Sequence, residues 1–215
     1  NPIIWVDPDG RAGKNVINNT TTADCTINQF FNKYLNDPSN LNIFYYVVHG
    51  SKTMSQKQLD DLRATFLKCN EIYEYIDKCV ESGITPIIAL ISCESAIPDK
   101  NGNSIVSMIV NSLKSIFPDI SCIVIGAQGV VRINKKHLTF MGVFDSNTDR
   151  LMNWDVFLDG LKVNEIYGNQ IPDEVNIYRY NSQFEEKITN QYHQKTRNDI
   201  LIPIRPISSQ IFPKL

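Results

Sequence analysis

The stretch IFYYVVHG, residues 43–50, decides the fold of this chain together with a second stretch, IIALISC, residues 87–93. Each begins with a short apolar run, which is typical of a strand buried on both faces of a parallel sheet. The carboxyl ends of parallel strands meet at one edge of an open α/β sheet, where such folds place their functional groups. The two stretches therefore predict that His49 and Cys93 lie side by side at that edge.

A thiol beside an imidazole can act as a cysteine nucleophile with its general base. The imidazole can take the thiol proton or hold the thiolate as an ion pair. Gly50 follows His49, and a glycine backbone can approach a substrate carbonyl closely enough for its N–H to donate to a developing oxyanion. The N–H of Cys93 is the natural second donor. The alternative is structural, because cysteine is often buried and a histidine can simply end a strand.

The segment between the two stretches predicts helix. Ser55 and Gln58 fit a capping box, and apolar residues then repeat at steps of three and four as far as Val80. This pattern predicts either one helix of about seven turns or two shorter helices. Gly83 is expected to end the helical segment and Ser104 to begin another helix.

A third apolar run, residues 120–125, predicts another parallel strand, followed by a bend at residues 126–129. Ala127, Gln128 and Gly129 are therefore candidates for a substrate groove, although a simple tight turn explains the two glycines equally well. Residues 130–145 predict a hairpin. Farther along, one more helical face is predicted by the spacing of Trp154, Phe157, Leu158, Leu161 and Val163.

The composition of the chain limits the classes of function that it can have. The chain has 215 residues, 42% of them hydrophobic, which is enough to form one large core. A net charge of −2 gives no electrostatic reason to expect nucleic acid as a partner, and no apolar stretch is long enough to span a bilayer. Five cysteines without CxxC or Cys/His spacing predict neither a metal site nor another cofactor. We expect Cys69, Cys79 and Cys122 to pack as small hydrophobic residues.

The order of these stretches resembles a known family. IFYYVVHGS, a helical segment, PIIALISCESA, a second helix and SCIVIGAQGVV together are similar to the caspase-like cysteine peptidases, in particular their bacterial toxin and CHAT-type branches. The resemblance covers about residues 42–133. It implies a caspase-like three-layer sandwich, a mostly parallel sheet flanked by helices, with His49 as general base, Cys93 as nucleophile and the amides of Gly50 and Cys93 as the oxyanion hole. Glu94 belongs to an acidic-small pattern similar to that of CHAT-type members and joins the candidate groove.

The first ten residues, NPIIWVDPDG, carry a second resemblance. They are similar to the closing signature of the RHS-repeat core, which precedes the variable C-terminal toxin of large secreted bacterial proteins. The resemblance implies a junction over residues 1–13 and a toxin domain over residues 14–215. It implies secretion by a delivery system, action in the target-cell cytosol, and the RHS shell, an immunity protein and a target-cell protein as partners.

The sequence thus indicates a cysteine endopeptidase toxin acting through a His49–Cys93 dyad. Asp99 and Asp145 could help to select a basic side chain, or could simply cap turns. Three other functions stay open. They are self-processing of the RHS polypeptide, a different toxin chemistry such as ADP-ribosyl or glycosyl transfer, and a non-catalytic binding module on a peptidase fold.

Overall fold

A computed structural model of the chain describes residues 13–18, 20–36, 43–173 and 177. The strands are β1 Gly13–Asn15, β2 Phe44–Val47, β3 Ile87–Ile91, β4 Ile123–Ala127, β5 Val130–Asn134, β6 Thr139–Phe144, β7 Asn153–Leu158 and β8 Leu161–Tyr167. The helices are α1 Thr22–Phe30, which continues as a π-helical turn over Phe31–Leu35, α2 Gln56–Phe66, α3 Asn70–Glu81 and α4 Ile105–Ile116. Residues 1–12, which hold nearly all of the expected RHS junction, lie outside the described residues.

Six strands form the central sheet in the order β1-β2-β3-β4-β7-β8. The first four are parallel, whereas β7 and β8 run antiparallel to their neighbours. The hairpin of β5 and β6 forms a separate two-stranded sheet. The predicted α/β class, with a mostly parallel sheet flanked by helices, is confirmed.

Helices cover both faces of the sheet, which gives three layers. One core joins the inward residues of β2, β3 and β4 to α1 and to the β5–β6 hairpin. The other core joins the alternate residues of the same strands to α2, α3 and α4. Every residue of β2, β3 and β4 is buried, because these strands have no face in contact with water.

The local signals between β2 and β3 give two helices, the second of the two expected arrangements. Ser55 and Gln58 form the predicted capping box at the start of α2. The helical path breaks at residues 67–69, and α3 ends before Gly83, whose positive φ of 67° suits a residue without a side chain. Ser104 caps α4 as predicted.

The expected helix around Trp154 was wrong, since this segment forms the β7–β8 hairpin. Trp154, Val156 and Leu158 alternate toward the core with the period of a strand. Asp159 and Gly160 both have positive φ and form the two-residue turn, which is a strong hairpin signal when it lies between alternating residues. The apolar spacing fits both periods, and the Asp-Gly turn decides between them.

All five cysteines lie in the described part of the chain and are free. Cys69, Cys79 and Cys122 are buried in the core beneath α2, α3 and α4, as expected for small hydrophobic residues. None of the described helices has the length and apolar character needed to cross a bilayer. The described residues include no group of three or more His, Cys, Asp or Glu side chains that could hold a metal ion.

Removing the hydroxyl group from each of two buried tyrosines is expected to have opposite effects on stability. Among the described residues, the hydroxyl of fully buried Tyr46 has no hydrogen-bond partner, so it has lost water without compensation. The hydroxyl of Tyr75 donates to Ile87 O at 3.1 Å and accepts from Ile87 N–H at 3.0 Å. We expect Tyr46→Phe to raise the free energy of unfolding by about 1 kcal/mol and Tyr75→Phe to lower it by about 1–3 kcal/mol.

Urea denaturation followed by circular dichroism measures both changes. The two variants are matched controls, because each removes one hydroxyl from a ring in the same core. A loss of stability in Tyr46→Phe as large as that in Tyr75→Phe would contradict the prediction.

Candidate active site

The exits of β2 and β3 bring His49 and Cys93 to the same edge of the sheet. Val47 pairs with Ile91 in the parallel register, and the N–H of Val48 donates to Ile91 O at 3.4 Å. His49 follows the last residue of β2 by two positions, and Cys93 follows the last residue of β3 by two positions. Both lie at the carboxyl edge and line one cavity with residues of α1.

Both side chains line one cavity of about 580 Å³ at this edge. Its walls are the amino-terminal half of α1, the exits of β2 and β3, and β5 with the adjoining turn and β6. Eight apolar residues contribute to the described lining: Ile17, Ala23, Ile27, Val48, Ile91, Val131, Ile133 and Met141. The cavity therefore offers an apolar surface next to a thiol and an imidazole.

The imidazole of His49 has a buried acidic partner on α1. His49 Nε2 lies 3.1 Å from Asp24 Oδ1, and the Asp24 side chain is 4% exposed whereas that of His49 is 71% exposed. The Thr20 hydroxyl, which donates to Asp24 Oδ2 at 2.6 Å, is the main group that holds the pKa of Asp24 below its ordinary value. Asp24 is therefore ionised at neutral pH and presents a fixed negative charge to the ring.

The thiol of Cys93 keeps its proton near neutral pH. Burial raises the pKa of Cys93, the neighbouring Glu94 carboxylate adds to this effect, and the backbone N–H of Val131 beside the sulfur opposes it. Val143, which lies opposite Val131 on β6, donates its N–H to Gly168 O and accepts from the Met152 N–H. The Val131 N–H therefore makes no hydrogen bond to Val143 and can face the sulfur. The arrangement favours proton transfer to a base during attack over a preformed thiolate–imidazolium pair.

Gly50 lies against the loop that holds Cys93, with no room for a side chain. A Cβ atom at this position would lie 2.2 Å from Ser92 Oγ, 2.4 Å from Cys93 O and 2.9 Å from Ile105 Cδ1. Among the described residues, neither the Gly50 N–H nor the Cys93 N–H donates to a backbone carbonyl. Gly50 thus lies beside the backbone of Cys93, and within the described residues neither of the two expected oxyanion donors has a competing backbone acceptor.

Glu94 connects the loops around the site. Its carboxylate accepts from the Lys52 backbone N–H at 3.2 Å, pairs with Lys52 Nζ at 3.2 Å and accepts from the Ser146 hydroxyl at 3.4 Å. Its φ of 50° is unusual for a residue other than glycine, and its side chain is buried. Glu94 thus joins the loops after β2, β3 and β6, and it lies outside the cavity lining.

The other three expected groove residues also lie outside the cavity lining. Ala127 is fully buried in β4, and Gly129 O accepts from the Glu94 N–H at 2.7 Å. The Gln128 side chain donates to Asp155 Oδ1 at 2.6 Å, toward β7 and β8. The structure instead forms this wall from β5, the strand that follows the bend.

Asp99 and Asp145 hold turns. Asp99 Oδ1 accepts from the backbone N–H groups of Asn101 and Asn103, and Asp145 Oδ1 accepts from two backbone N–H groups of the following turn. Neither residue lines the cavity. The turn-capping alternative therefore describes their place in the structure.

The sequence interpretation missed Asp24. Its only local signal is the capping box that it forms with Thr21 at the start of α1, a pattern of Ser or Thr followed three residues later by an acidic residue. That pattern predicts a helix start but not a contact with a histidine beyond the next strand.

No protein-family model, curated protein or solved structure matches the chain.

Proposed function

We propose that this domain is a caspase-like cysteine peptidase, delivered as the C-terminal toxin of an RHS-repeat protein, that cleaves proteins in the target-cell cytosol. The observation that carries the proposal is the convergence of His49 and Cys93 on one cavity at the carboxyl edge of the sheet. The three-layer arrangement around a mostly parallel sheet supports the caspase-like assignment. In this proposal the RHS shell carries the domain, and an immunity protein protects the producing cell.

The chemistry follows from the neutral thiol. His49 takes the proton of Cys93 as the sulfur forms a bond to the scissile carbonyl carbon, and the Gly50 and Cys93 N–H groups stabilise the oxyanion. The C–N bond breaks as His49 gives that proton to the leaving amine. Water then attacks the thioester, the C–S bond breaks, and the products are a carboxylic acid and the restored thiol.

The lining of the cavity favours an apolar side chain next to the cleaved bond. Ile17, Ile27 and Ile133 contribute aliphatic surface beside the thiol, and burying such surface drives binding by about 25 cal/mol per Å². Asp24 is the only acidic residue in the described lining, and its charge is directed at His49. The site therefore lacks an unpaired carboxylate that would favour a basic substrate side chain.

Mapping new protein N-termini in a cellular proteome tests the proposal. We expect the unmodified domain to create new termini that disappear with Cys93→Ala, and apolar residues to be enriched immediately before the cuts. Cys25→Ala is the matched control, since Cys25 is a free, half-buried thiol on α1 and is expected to leave the map unchanged.

The alternatives give different results. Identical maps for the unmodified domain and Cys93→Ala would contradict proteolysis. Cuts confined to the parent RHS polypeptide would indicate self-processing, and a Cys93→Ala protein that stays toxic would indicate another toxin chemistry.

A further inference from the structure

We propose that Asp24 is the positioning residue of the site and turns the His49–Cys93 pair into an Asp–His–Cys triad. In this arrangement His49 Nε2–H donates to Asp24 Oδ1, which leaves the lone pair of Nδ1 to take the thiol proton. The inference rests on the proposed peptidase function and adds to it a residue on α1, which precedes both members of the dyad in the chain.

The two oxygens of Asp24 have separate partners. Oδ2 accepts from the Thr20 hydroxyl at 2.6 Å and from the Thr21 backbone N–H at 2.9 Å. Oδ1 faces His49 Nε2 at 3.1 Å. Because Oδ2 and the capping box fix the carboxylate on α1, Oδ1 is held in place for the ring.

His49 needs such a partner because little else restrains its ring. The side chain is 71% exposed and follows the end of β2, so packing alone leaves its rotamer free. A buried carboxylate 3.1 Å from Nε2 favours one ring orientation and the tautomer that carries its proton on Nε2. The same carboxylate stabilises the imidazolium that forms when the thiol proton is transferred.

The charges around the cavity make Asp24 the specific partner. The other ionisable groups that line it are Cys93 on the β3 exit and Arg132 and Lys135 on the hairpin. Arg132 is paired with Asp149, and neither cation can accept a proton from the ring. Asp24 is therefore the only anionic acceptor for His49 in the described lining.

The test measures kcat and KM for a cleaved peptide and the tautomer of His49 by ¹⁵N NMR of the histidine rings, assigned with His49→Ala. We expect Asp24→Asn to lower kcat by about 10²- to 10⁴-fold with little change in KM. The Asn amide would donate to Nε2, so we also expect the signal of the Nε2–H tautomer to give way to that of Nδ1–H.

Gln58→Ala is the matched control, because Gln58 accepts from the N-cap N–H of α2 as Asp24 does in α1, and it is exposed and outside the cavity lining. We expect it to leave both kcat and the tautomer unchanged. An Asp24→Asn protein with ordinary kcat, or an unmodified protein in which His49 carries its proton on Nδ1, would overturn the triad and leave the peptidase proposal standing. An unmodified protein that cleaves nothing, even with the Nε2–H tautomer, would overturn the peptidase proposal and the triad with it.

Discussion

Replacing His49 by alanine is expected to lower kcat/KM at pH 7 by about 10²- to 10⁴-fold, the usual contribution of a positioned acid–base group. The expected loss shrinks as the pH rises. Burial raises the pKa of Cys93 above its ordinary value, so the thiol ionises only in the alkaline range. Below that pKa the thiolate fraction increases about tenfold for each pH unit, and the variant should gain activity in proportion.

A pH profile of kcat/KM from 6 to 10 measures this behaviour. Cys93→Ala is the control and should stay inactive at every pH. Since His49 is mostly exposed, its removal should change thermal stability little, so a loss of activity would not reflect unfolding. Equal rates for His49→Ala and the unmodified protein at pH 7 would contradict the assignment of His49 as the base.

Gly50→Ala is expected to impair both stability and catalysis. The new Cβ would lie 2.4 Å from Cys93 O, a backbone atom that cannot rotate away, and 2.2 Å from Ser92 Oγ. Overpacking of this kind typically costs about 1–3 kcal/mol of stability. Relief of the clash separates the β2 and β3 exits and displaces the oxyanion donors, for which we expect a loss of about 10²- to 10³-fold in kcat.

Gly83→Ala separates the two effects. Gly83 has a positive φ, and a Cβ atom added there would meet no other atom within 4 Å. Alanine at this position therefore adds backbone strain at the end of α3, away from the cavity. We expect thermal denaturation to show a loss of stability in both variants and peptide assays to show a loss of kcat only in Gly50→Ala. Ordinary kcat in Gly50→Ala would contradict the proposed position of the oxyanion donors.

Much of the fold could be predicted from local sequence because its signals are local. The apolar runs of β2 and β3 are continuous, since neither strand has a face in water. The capping boxes at Ser55 and Ser104 involve residues three apart in the chain. The expected helix around Trp154 was wrong because the apolar spacing of this segment fits a helix as well as a strand, and the Asp159–Gly160 turn decides for the strand.

The site could be predicted only in part for a different reason. His49 and Cys93 end neighbouring strands, so a parallel sheet is enough to suggest that they meet. Asp24 reaches His49 only because α1 packs on one particular face of that sheet, and β5 forms a cavity wall only because the hairpin folds over the same face. Such packing depends on many residues at once, and no short pattern encodes it.

The neutral state of the Cys93 thiol also bears on how the protein would withstand oxidants. Peroxide and simple alkylating reagents react with thiolates, so a sulfur that retains its hydrogen is attacked slowly. The protein should therefore tolerate an oxidising medium better than an enzyme with a standing thiolate–imidazolium pair. Inhibitors that imitate an acyl group and engage the imidazole should inactivate it far faster than iodoacetamide does.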